Sequence, residues 1–140
     1  MDDTLIGREA VYGDVYRAVY DQQEAISHST SWEEALEYFW TLSPGNATDP
    51  REAFIDMKKR WPDVIGDPDS HNSFYFEQMI KLVKIIPGAM EFIDWMNSSS
   101  ISWGVVTNGD QFQHQKAEVT GIDEKAPFVL ASKLFGVDKP

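Results

Sequence analysis

Three short clusters in this 140-residue chain carry residue types suited to chemistry on an anion. Gly104-Val105-Val106-Thr107-Asn108-Gly109 is an apolar run that ends in a hydroxyl, an amide and a glycine. The carboxyl end of a parallel strand is where ligands settle in open α/β sheets, because loop N–H groups and the next helix N-terminus converge there. Thr107 and Asn108 at that point suit the equatorial oxygens of a transferring phosphoryl group, and Gly109 lets backbone approach the anion closely. In Gly136-Val137-Asp138-Lys139-Pro140, Lys139 supplies an ammonium that offsets the negative charge of a phosphate among carboxylates. In Met1-Asp2-Asp3-Thr4-Leu5, Asp2 offers a carboxyl group, which can both give and take a proton.

Taken singly, each cluster has a plainer account. Asp-Asp-Thr reads as a solvated tail, with Thr4 capping the following turn and Asp3 a spacer. Asn108-Gly109 reads as punctuation between a strand and a helix, and a terminal Lys-Pro as a frayed end. Lys116 is a second candidate for the ammonium, although its expected place is the exposed face of a helix.

In order along the chain, the three clusters resemble the first three motifs of the haloacid dehalogenase (HAD)-like hydrolase superfamily. The match includes Gln115, Lys116 and Gly121 after the second cluster, and Ser132 and Gly136 before Lys139. That family's first motif is Asp-x-Asp-x-Thr after an apolar strand, so Asp2 and Thr4 take its second and third defined positions. The resemblance implies that Asp2 is the general acid and base, with its backbone carbonyl on a Mg2+ ion, and that Thr107, Asn108 and Lys139 stabilise the transferring group. An Asp at this position favours phosphate-ester hydrolysis over dehalogenation. The implied activity is a magnesium-dependent phosphatase acting on a small phosphorylated metabolite through an aspartyl-phosphate. The nucleophilic Asp would fall one residue before Met1 and the fourth, acidic motif after Pro140. The resemblance therefore implies a chain truncated at both ends and without turnover of its own.

Composition narrows the partners. Hydrophobic residues make up 42% and aromatics 13%, as in a packed globular protein. A net charge of −11 repels nucleic-acid backbones and anionic membranes, so neither is an expected partner. The chain has no cysteine, which excludes disulfides and thiolate chemistry and agrees with a cytoplasmic setting. No apolar stretch approaches a membrane span. His28, His71 and His114 have no zinc-like spacing and are expected at surface or turn positions. The five tryptophans are expected in packing, with Trp32, Trp40 and Trp61 able to shape a substrate entrance.

Periodicity places the elements that must position these groups. Tyr12, Val15, Tyr16, Val19 and Tyr20 predict a helix over about 8–27. Ser31 with Glu34 has capping-box spacing ahead of a second helix carrying Trp32, Ala35, Leu36, Phe39 and Trp40. A turn is expected at Ser43-Pro44-Gly45-Asn46. Asp49-Pro50 starts a third helix, which ends near Pro62. A fourth, carrying Phe76, Met79, Ile80 and Val83, runs to about Ile86, and a fifth carries Ala89, Phe92, Ile93 and Met96. Ile101–Val106 reads as a buried strand, 110–120 as a helix closed by Gly121, and 128–131 as a second strand. This strand–helix–strand unit predicts a parallel sheet. The fold class is thus α/β, a partial HAD-like Rossmannoid core over 1–12 and 77–140 with an inserted α-helical (C1-type) cap over 13–76. Two other readings stay open: a non-catalytic α-helical interaction module or decayed fragment, and a 2-haloacid dehalogenase-type or phosphotransferase enzyme. Neither substrate nor oligomeric state is legible.

Overall fold

The computed structural model describes residues 1–42 and 49–136, apart from the side chains of residues 8–10. The chain divides into two compact units, Met1–Glu9 with Val83–Pro140, and Ala10–Leu82. The described residues are mostly helical with one small parallel sheet, a mixed α/β arrangement.

The Ala10–Leu82 unit is all helix. It contains most of α1 (Arg8–Gln22), then α2 (Glu24–Ser27), α3 (Trp32–Leu42), α4 (Pro50–Arg60) and α5 (Pro68–Leu82). Val11, Tyr12, Val15, Tyr16, Val19 and Tyr20 are buried on one face of α1, as their spacing predicts. Tyr16 meets Phe39 and Trp40 of α3 at ring-centroid distances of 5.5 and 5.2 Å. The capping box forms at the start of α3: Glu34 N–H donates to Ser31 Oγ, and Ser31 N–H to Glu34 Oε2. Asp49 caps α4, accepting from Arg51 N–H at 2.8 Å, with Pro50 in the first turn. The predicted turn at Ser43-Pro44-Gly45-Asn46 lies outside the described residues.

The helix predicted over 8–27 is interrupted at Gln23, a buried residue outside helical dihedrals. Its amide forms a two-way pair with the backbone of Ile65, donating to the carbonyl at 3.1 Å and accepting from the N–H at 2.9 Å. Burying that amide with both partners satisfied outweighs one more turn of unbroken helix. His71 corrects the surface expectation. It is buried in α5, with its ring 5.1 Å from Phe54 and 6.4 Å from Tyr75. Removal from water pushes the imidazole down to about 4, so it sits among these rings as a neutral group.

The other unit holds α6 (Ala89–Ser98), β1 (Val105–Thr107), α7 (Gln111–Thr120), α8 (Ile122–Lys125), β2 (Val129–Ala131) and a 3-10 turn at Ser132–Phe135. β1 and β2 pair in parallel, with Val105 opposite Val129, Val106 opposite Leu130 and Thr107 opposite Ala131. One core cluster joins Met1, Leu5 and Ile6 to Ala89, Ile93, Val105, Ala117 and Ile122. The N-terminal residues therefore help to build this unit; they are not a solvated tail. Leu5 N–H closes a tight turn onto Met1 C=O at 2.9 Å, and Asp3 takes the left-handed conformation (φ 57°) that Asp tolerates better than most residues.

Three expectations shift in this unit. The fourth helix stops at Leu82, because 84–86 pair with the N-terminal segment: Gly7 N–H donates to Lys84 C=O and Ile86 N–H to Leu5 C=O. The strand read at Ile101–Val106 begins only at Val105 and includes Thr107, and Ile101 is exposed. Trp95, expected in packing, is also exposed and stacks on the neighbouring exposed Phe92.

Candidate functional site

Thr107 is the last residue of β1, and Asn108-Gly109 leads from it into α7. The carboxyl end of β2 lies alongside, since the two strands run parallel and in register. Two contacts tie the strand ends together. Ser132 Oγ donates to Asn108 Oδ1 at 3.2 Å, and Lys133 N–H donates to Gly109 C=O at 3.0 Å. Asn108 is exposed. Thr107 is buried, and its hydroxyl donates to Asn108 C=O at 3.3 Å.

Gly109 has a φ of 128°, a conformation that side-chain-bearing residues rarely adopt. A Cβ there would also come within 2.7 Å of Gln113 Cγ. The glycine thus serves close packing of the loop onto the first turn of α7. Asp110 caps that helix, accepting from Phe112 N–H at 2.9 Å, and Gly121 closes it in the left-handed conformation. Because Asp110 already occupies a first-turn donor, a ligand at this loop must be held chiefly by side chains and by loop N–H groups.

Asp2 approaches the same helix from the N-terminal turn. Its carboxylate accepts from Lys116 Nζ at 2.9 Å through Oδ1 and 3.1 Å through Oδ2, and from Gln113 Nε2 at 3.3 Å through Oδ2. Lys116 is not on an exposed helix face: 4% of its side chain is accessible, against 22% for Asp2. Gln113, Lys116 and Ala117, spaced three and four residues apart, form the buried face of α7. Charge needs a partner when taken from water, and Asp2 is the one that Lys116 finds. Gln113, which donates to Asp2, also occupies the space that a side chain at Gly109 would need, so it packs close to the loop. Its Oε1 is buried and accepts no hydrogen bond.

Asp2, Asn108 and Gly109 therefore belong to one connected set, completed by Gln113, Lys116 and Ser132. Lys139 lies outside the described residues. Among the described residues no group of three or more His, Cys, Asp or Glu side chains could hold a metal ion. Both carboxylate oxygens of Asp2 face the Lys116 ammonium, which leaves the backbone carbonyl of Asp2 as the atom expected to meet a magnesium ion. No described helix is long and apolar enough to cross a membrane. Gln113 is a site residue that the motifs do not mark, and Ser132 is marked by them only for its spacing before Lys139. Their signals are present, since Gln113 lies one helical turn before Lys116, and Ser132 directly follows a strand.

No protein-family model matches the chain, and no curated protein matches it.

Proposed function

We propose that this chain carries part of the phosphoryl-handling site of a HAD-like phosphohydrolase acting on a small phosphorylated metabolite. The observation that carries the reading is the joining of Asp2 to the Thr107-Asn108-Gly109 loop through α7. A proton donor and acceptor is then held on the helix into which the loop leads, after a parallel strand. In this assignment Asp2 protonates the leaving-group oxygen and afterwards takes a proton from the attacking water. Asn108, with the loop N–H groups, holds the oxygens of the transferring group, and Thr107 shapes the loop from within. Lys139 adds positive charge. The roles assigned to these residues are proton transfer and charge stabilisation. Magnesium, implied by the same resemblance, would meet the backbone carbonyl of Asp2, and the steps above belong to the chain's own groups.

Titration of the 140-residue protein with inorganic phosphate, followed by amide NMR, tests the reading. Saturable shifts confined to Thr107, Asn108, Gly109 and their neighbours are expected. Shifts spread thinly over the surface would count against it. A second reading, a non-catalytic interaction module, draws on Val106 and Leu130. These cross-strand partners are 46% and 39% exposed, and Phe92 and Trp95 are exposed as well. That module would leave the loop indifferent to phosphate.

A further inference from the structure

We propose that Lys116 is a positioning residue for Asp2. Its ammonium, laid across both carboxylate oxygens, locks the side chain in one rotamer against α7, while Gln113 restrains the second oxygen. This rests on the phosphoryl-site reading for its purpose, since an acid–base group must hold one orientation toward the reacting oxygen.

Three observations carry the inference beyond simple packing. Lys116 is almost wholly buried, a setting in which a methionine of similar length would fill the space without the desolvation cost of a charge. Its two distances to Asp2 are nearly equal, which restrains rotation about the carboxylate's own axis as well as its position. The Asp2 backbone is held independently, by the Met1–Ile6 turn and by the bridge from Ile6 to Ile85. Lys116 is thus not required to place the segment; what it adds is the direction of the side chain. The same ammonium offsets the Asp2 charge, so a phosphate at the loop meets less repulsion from that carboxylate.

The test reads Asp2 directly in the 140-residue protein, through its carbonyl–Hβ and Hα–Hβ couplings. The wild type should show a single χ1 rotamer, together with a slowly exchanging Lys116 ammonium that has cross-peaks to Asp2 Hβ. Lys116→Met should lose the single-rotamer pattern while the amide spectrum of Val105, Ala117 and Ile122 stays folded. Lys116→Arg should recover it, because a guanidinium also spans two carboxylate oxygens. Averaged couplings in the wild type would overturn the proposal without any variant, so a misfolded Lys116→Met does not leave it open. Unchanged couplings in a folded Lys116→Met would overturn it equally. Phosphate added to the same samples reports separately on the loop. A fixed Asp2 with no response at Thr107–Gly109 rejects the phosphoryl reading and leaves the positioning role standing.

Discussion

Lys116 Nζ and Asp2, 114 positions apart in the chain, meet at 2.9 and 3.1 Å, and the lysine is the more deeply buried partner. The pair joins the N-terminal turn to the helix that follows the candidate anion loop.

The difference in burial makes the two halves of the pair unequal. Asp2→Ala leaves a buried ammonium without its partner and is expected to destabilise the protein by about 3 kcal/mol. Lys116→Met leaves a partly exposed carboxylate that water can reach, at a cost of about 1 kcal/mol. The double variant should be more stable than Asp2→Ala alone. Urea denaturation of the four proteins measures this cycle, and equal costs for the two single changes would contradict the burial argument.

Gly109→Ala combines an unfavourable φ with a clash against Gln113. A loss of about 1–3 kcal/mol is expected from the backbone conformation alone. Because Gln113 must move, its contact with Asp2 should weaken too, and the Gln113 side-chain amide resonances should shift. Preserved stability and unmoved Gln113 signals would show that the loop is not held as described.

Burial holds the His71 imidazole at about 4 in the folded protein, against 6.5 as its ordinary value. Between those values the unfolded chain binds a proton that the folded chain does not, so stability falls as pH drops from 6.5 toward 4. It is fully present above that window. The contribution lost is about 3 kcal/mol at most. His71→Phe keeps a ring between Phe54 and Tyr75 and should flatten this part of the pH profile. Denaturation midpoints at pH 7.5, 6.0 and 5.0 for both proteins give the comparison, and identical slopes would contradict it.

The 140-residue polypeptide should hydrolyse p-nitrophenyl phosphate no faster than buffer, with or without added magnesium. In the proposed assignment the attacking carboxylate is not among its residues, and covalent catalysis loses its pathway without a nucleophile. Metal-dependent release of p-nitrophenol would contradict the division of labour given to Asp2 and the loop.

Much of the architecture was legible because its signals are local. Tyr12, Val15, Tyr16 and Val19 repeat at helical spacing, Asp49-Pro50 starts a helix, and Gly121 ends one. The short apolar runs at Val105 and Val129 pair in parallel as the strand–helix–strand order implies. Long-range partners overrode local preference elsewhere. The Gln23 amide found the Ile65 backbone and broke a helix, and 84–86 left helical pairing to bridge the N-terminal segment. Lys116 and His71 misled for one reason. Polar residues are usually exposed, and what buries them here is a charge partner in one case and an aromatic setting in the other, both distant in sequence. Asp2, Thr107 and Asn108 could be read as candidates from their motifs, but not that Gln113 joins them.

The most direct test of the central claim is a phosphate titration of the wild type beside Asn108→Ala, with acetate as the comparison anion. The account predicts saturable amide shifts at Thr107–Gly109 for phosphate in the wild type, much weaker ones in Asn108→Ala, and little response to acetate in either. A wild-type loop that ignores phosphate, or answers acetate as strongly, would contradict it.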